Sequence, residues 1–112
     1  MNEVRFRDWV CRVEKGRYSN GRIALSLVDD EGPVATATVN LVDDLSGPNT
    51  VFIKDHSENA GLLAALEAAG VVKATGRTVR SGFVDVPVCE LQPPYRDMHV
   101  EKLVDRGTRQ GR

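Results

Sequence analysis

The sequence predicts an α+β domain, an antiparallel sheet of five or six strands with one helix packed on one face. Apolar and polar residues alternate through most of the first half, the pattern of strands with one buried face. Clusters of Gly, Asn, Asp and Pro separate these runs at intervals suited to a meander. A single stretch switches to helical spacing, with Leu62, Leu63 and Leu66 set among alanines.

Val4 and Phe6 alternate with Arg5 and Arg7, then Trp9, Cys11 and Val13 alternate with Val10, Arg12 and Glu14. The phase slips by one residue at Arg7-Asp8, which implies a bulge or a new strand starting there. Gly16-Arg17-Tyr18-Ser19-Asn20-Gly21 reads as a turn, with Asn20-Gly21 supplying positive-φ positions. The next strand sets Ile23, Leu25 and Leu27 on one face and ends at the turn Asp29-Asp30-Glu31-Gly32-Pro33. Positions 34–41 form a third strand, in which Thr36 and Thr38 suit an exposed face. Positions 42–49 are a loop and 50–54 a short strand.

The helix follows. Asp55 stands as its N-cap and Glu58, three residues on, closes a capping box, while Gly70 supplies the stop. A brief strand at 71–74 leads into a Gly-rich turn at 76–82 and then a long strand at 83–91. Pro87 inside that strand assigns it to a sheet edge or a bulge. Pro93-Pro94 breaks the chain before a short helix within 95–105, with Val100, Leu103 and Val104 as its apolar side. Positions 1–105 are expected to form one domain. Positions 106–112 lack an apolar anchor and are expected to be a disordered tail.

A length of 112 residues suits a single domain, and 41% hydrophobic with 28% charged residues is a soluble composition. Cys11 and Cys89 are far apart in apolar stretches, which predicts two buried thiols and no disulfide framework. The first residues lack the apolar run of a signal peptide, and no stretch approaches the ~18 apolar residues of a membrane helix. A cytoplasmic location without membrane contact is therefore expected.

The net charge of −1 gives no general attraction to nucleic acid, yet positions 18–60 hold seven acidic and two basic residues. If the turn acids Asp29, Asp30, Glu31, Asp43 and Asp44 cluster, they form a negative patch that fits a basic protein partner.

Lys54-Asp55-His56-Ser57-Glu58-Asn59 puts an acid, an imidazole and a hydroxyl side by side. Adjacent residues in a first helical turn point in different directions, so they make no triad, and no catalytic residue is assigned. Ser57 at the helix start, with Arg77 and Arg80 among glycines, is the candidate small-ligand set for a phosphate-bearing molecule. It matches neither a P-loop nor a dinucleotide fingerprint. His56, His99, Cys11 and Cys89 lack the close spacing of zinc ligands, so neither metal nor other cofactor is expected. The aromatics are few and fall mostly on apolar strand faces, so direct nucleic-acid binding is not expected. No oligomeric state is implied.

The 54–59 string, followed by Gly61-Leu62-Leu63 and Ala69-Gly70-Val71, resembles a recurrent signature of an uncharacterised family of small proteins. That family is carried on plasmids, integrative elements and phages. The strands at 35–41 and 83–91 are similar too, and the likeness covers most of 12–91. The family usually has Tyr at the position of His56 and Glu at that of Ala60, which speaks against a catalytic role for His56. The resemblance implies a mobile-element setting and no mechanism, and the lack of converging catalytic groups makes a non-enzymatic accessory protein the expectation. By analogy of class, such a protein binds and modulates a host macromolecular complex, as an anti-CRISPR inhibitor does. The alternative is a binder that sequesters a nucleotide or another phosphate-bearing molecule.

Overall fold

The slip at Arg7-Asp8 is a two-residue hairpin turn in the computed structural model, which describes residues 3–41, 47–98 and 100. Arg7 reverses the chain with a φ of 56° between β1 (Val4–Phe6) and β2 (Trp9–Arg17). β3 (Ile23–Asp29) and β4 (Gly32–Thr36) complete a four-stranded sheet in the order β1-β2-β3-β4. β5 (Thr50–Phe52), β6 (Val72–Ser81) and β7 (Val84–Leu91) form a second, in the order β5-β7-β6. All their ladders are antiparallel. The helix α1 (Leu62–Ala68) and 3₁₀ turns at Ser57–Asn59 and Tyr95–Asp97 complete the described elements.

The α+β class with antiparallel strands and one helix is as expected. The single sheet of five or six strands is not, because there are two sheets, of four and three strands. The division falls inside 34–41, which the sequence presents as one strand. The Ala37 N–H still donates to the Leu25 carbonyl of β3 at 2.8 Å. The Ala37 carbonyl, however, accepts the Lys54 N–H, and the Val39 N–H donates to the Phe52 carbonyl, each at 2.8 Å. Thr38 meanwhile bridges to Ile53. The chain thus leaves the first sheet and joins the second within two residues. The buried Thr38 side chain makes this possible. Its Oγ1 accepts the Leu25 N–H at 3.2 Å and hydrogen-bonds the Tyr18 hydroxyl at 2.9 Å, so both groups are satisfied where β4 departs.

Two further expectations are corrected. The Gly-rich segment 76–82 is mostly strand, and the turn shrinks to Gly82-Phe83. Thr75 and Gly76 bulge out between the pairs Ala74↔Cys89 and Arg77↔Val88, with Gly76 at φ 87°. The Thr75 hydroxyl donates to the Val88 carbonyl at 2.7 Å and accepts the Arg77 N–H at 3.2 Å, which stitches the bulge closed. Gly76 therefore marks a bulge, a role glycine shares with turns. Pro87 lies in the central strand β7 and not at an edge. It is tolerated because β5 stops beside it. The last β5 ladder pair is Phe52↔Val88, and the Ile53 N–H donates to the Pro87 carbonyl at 3.1 Å.

One core serves both sheets. Val4, Phe6, Cys11, Leu25 and Leu27 meet Val51, Cys89 and Leu91, together with Leu62, Leu66 and Tyr95. α1 packs against β1 and β6, an outer strand from each sheet. With the Thr38–Ile53 bridge joining the inner edges, the strands wrap around this core. A smaller cluster of Phe52, Val86 and Val88 occupies the other face of the second sheet.

The expected helix within 95–105 is represented among the described residues by the Tyr95–Asp97 turn. Buried Lys15 fixes that turn, its Nζ donating to the carbonyls of Tyr95 (2.7 Å), Met98 (3.0 Å) and Arg96 (3.3 Å). His99 and the tail 106–112 lie outside the described residues. Among the described residues, no helix is long and apolar enough to cross a membrane.

Candidate functional site

The 54–59 string commits much of its polar chemistry to structure. Asp55 Oδ1 accepts the N–H groups of Gly61 (3.0 Å) and Leu63 (2.9 Å), so it caps α1 from outside and not as the N-cap residue. Glu58 does not close a capping box. It bonds the Lys54 ammonium at 2.6 Å, which holds its carboxyl below the usual range. Ser57, exposed and at φ 56°, opens the 3₁₀ turn that separates Asp55 from the helix. Buried Asn59 donates through Nδ2 to the Thr36 carbonyl at 2.8 Å. His56 lines a cavity of about 320 Å³ with Thr38, Val39, Lys54, Ser81 and Val86, and its buried Nδ1 has no hydrogen-bond partner among the described residues.

Arg77 and Arg80 stand three residues apart on a regular stretch of β6, so their side chains leave opposite faces. Arg80 pairs with Asp85 at 3.0 Å, while Ser57 belongs to the 3₁₀ turn before α1.

The acidic turn between β3 and β4 borders a cleft. Asp29 Oδ1 accepts the Glu31 N–H at 2.9 Å and sets the turn, leaving Asp30 and Glu31 exposed. Asp30 approaches Arg12 only to 3.6 Å, with both side chains in solvent. Asp43 and Asp44 lie outside the described residues.

Opposite the turn, β2 overshoots β3. Their ladder ends at Arg12↔Val28, while Trp9, Val10 and Cys11 pair only with β1. In a two-residue hairpin the pair flanking the turn exchanges both hydrogen bonds, here Phe6↔Trp9. Alternation then directs the Val10 N–H and C=O away from β1, toward the open side. The space there is about 640 Å³, bounded by Glu3, Trp9, Val10, Cys11, Arg12, Asp29, Asp30 and Glu31. Trp9 is 42% exposed and Val10 46%, and the Trp9 ring stacks on Phe6 at 6.2 Å. Burial first, and the nearby Asp29 carboxylate second, push the Cys11 thiol up, so this wall of the cleft is a neutral thiol.

The arrangement offers an aromatic face for a cation, carboxylates beside it, and outward-directed backbone groups for an extended chain. The acids were visible in the sequence as a turn. Trp9 and Val10 were not, because alternation places Trp9 on the apolar face with Cys11 and Val13. It does lie on that face, but past the end of the core. The usable signal is its position immediately after the Arg7-Asp8 slip, since a large aromatic next to a tight turn sits at a sheet's end.

No family model matches the chain, and neither a curated protein nor a solved structure matches it.

Proposed function

We propose that this protein is a non-enzymatic accessory protein of a mobile element that binds and modulates a host protein complex, acting as an anti-CRISPR inhibitor does. The contact is the cleft between β2 and the β3–β4 turn, and its occupant is a basic, extended segment of the partner. The supporting observation is the exposure of Trp9 and Val10 directly beside Asp29, Asp30 and Glu31. Scattered exposed apolar residues are ordinary on any surface. A tryptophan held by ring stacking at the mouth of an acidic cleft combines the two ingredients of an interface, an aromatic anchor and a charge pattern that speeds encounter. The mobile-element setting rests on the resemblance of the 54–59 string.

The test begins with a pull-down from host lysate and purification of the complex identified. Surface plasmon resonance then compares wild type with Asp29→Lys/Asp30→Lys and with Trp9→Ala. The charge reversal is expected to slow association at low salt, and high salt should slow the wild type toward it. Trp9→Ala is expected to speed dissociation by about tenfold or more. Unchanged rates for both folded variants would sink the reading.

A further inference from the structure

Among the described residues the exposed large hydrophobics are Trp9, Val10 and Phe83. The first two line the cleft, and Phe83 has the opposite shape. It is 96% exposed at the tip of the β6–β7 hairpin, beyond the ladder pairs Ser81↔Val84 and Arg80↔Asp85. A ring carried on a paired hairpin is already positioned, so docking it orders little else.

The charges are complementary as well. Glu3, Asp29, Asp30 and Glu31 outweigh Arg12 around the cleft, while Lys73, Arg77 and Arg80 outweigh Asp85 and Glu90 on the hairpin.

We propose that a second copy of this chain occupies the cleft, inserting Phe83 against Trp9 and Val10 with Arg80, the arginine nearest the hairpin tip, toward the acidic turn. A second copy provides for the unpartnered knob and the unpartnered cleft together, with the right sign of charge at each. A lipid surface answers neither feature well. Phe83 stands beside Ser81 and Gly82, and the exposed Arg80–Asp85 pair sits just below it. The inference rests on reading the cleft as a protein-binding surface, and it adds a regulation of that surface, because self-association masks the site that the host partner needs.

Trp9 is the only tryptophan of the chain, so its emission reports directly on the cleft. Sedimentation velocity and tryptophan emission are followed together from low to high micromolar protein. The expected result is a sedimentation coefficient that rises with concentration while the emission moves to shorter wavelength in step. Phe83→Ser, at a fully exposed position, is expected to weaken association about tenfold or more, and Trp9→Ala to do the same. Mixing these two variants restores one intact contact, so the mixture should associate more strongly than either alone. Added salt should weaken the wild-type assembly.

A chain that stays monomeric with unshifted emission would overturn the inference. So would association that Phe83→Ser leaves intact, or Phe83-dependent binding to anionic vesicles without self-association. If the chain is monomeric while Asp29→Lys/Asp30→Lys still slows binding to the host complex, this inference falls and the functional reading stands. If Phe83-dependent self-association occurs while host binding ignores the acidic turn, the functional reading falls alone.

Discussion

Cys89 is fully buried in the central strand β7, opposite Val51 on one side and Ala74 on the other. Burial first, then the carboxylates of Glu67, Asp55 and Glu90, push its thiol from an ordinary 9.0 up to about 12. Above pH 9 the unfolded chain releases this proton while the folded chain keeps it, so stability falls as pH rises. The slope from this group is about 1.4 kcal/mol per pH unit, present between about 9 and 12 and absent below. Urea unfolding of wild type and Cys89→Ala across that range should show a steeper decline in the wild type, the variant keeping the part that Cys11 contributes, and parallel curves would refute the assignment. Lys15 is a second case of a residue decided by its surroundings. It shares the inward phase of Cys11 and Val13, so its direction was legible in the alternation. Its partners were not, because they are carbonyls near the far end of the chain. Lys15→Ala removes the donor that ties these three carbonyls to β2, although the Tyr95 carbonyl keeps the Met98 N–H, and is expected to cost about 1–3 kcal/mol in the same assay.

At the level of elements, α1 depends on its leucines and on Asp55. Leu62 and Leu66 are fully buried against both sheets, and Leu66→Ala should cost about 2–5 kcal/mol, with a loss below about 1 kcal/mol counting against that packing. Asp55→Ala removes the acceptor of two N–H groups at the helix start and should cost about 0.5–2 kcal/mol. The stripe of leucines revealed this helix, yet its start was misplaced. Ser57 and Glu58 satisfy the local rules for a first turn, but the chain first makes a 3₁₀ turn that seats Asn59 on the Thr36 carbonyl. Strands β1 to β3 were legible because side-chain period alone orients a strand against a core. The split between sheets was not, because it depends on the Thr38 hydroxyl meeting Leu25 and Tyr18 across the fold. The site divides in the same way. The acidic turn follows from local composition, whereas the exposure of Trp9 depends on where β3 ends, and that is fixed by a turn far along the chain.

For the whole molecule, two sheets raise the question of whether they unfold separately. Three features argue that they form one cooperative unit. Their inward faces contribute to the same core, α1 rests on an outer strand of each, and Thr38 ties β3 to the segment that pairs with β5. Neither sheet can lose its partner without exposing Leu25, Leu27, Val51 and Leu91 to water, and such shared burial is what makes small domains unfold in a single step. The two sheets carry separate natural probes. Trp9 emission reports on β2, and thiol labelling of Cys89, in a Cys11→Ala background, reports on β7. In urea the two transitions should coincide. Thr38→Val keeps the side-chain shape but leaves the Leu25 N–H and the Tyr18 hydroxyl without that partner, at an expected cost of about 1–3 kcal/mol. Because the loss falls at the junction, both probes should move to lower urea by the same amount. If Cys89 became labelled at a urea concentration where Trp9 still reported a folded first sheet, the sheets would be separate units, and the junction at Thr38 would be a connection and not a coupling.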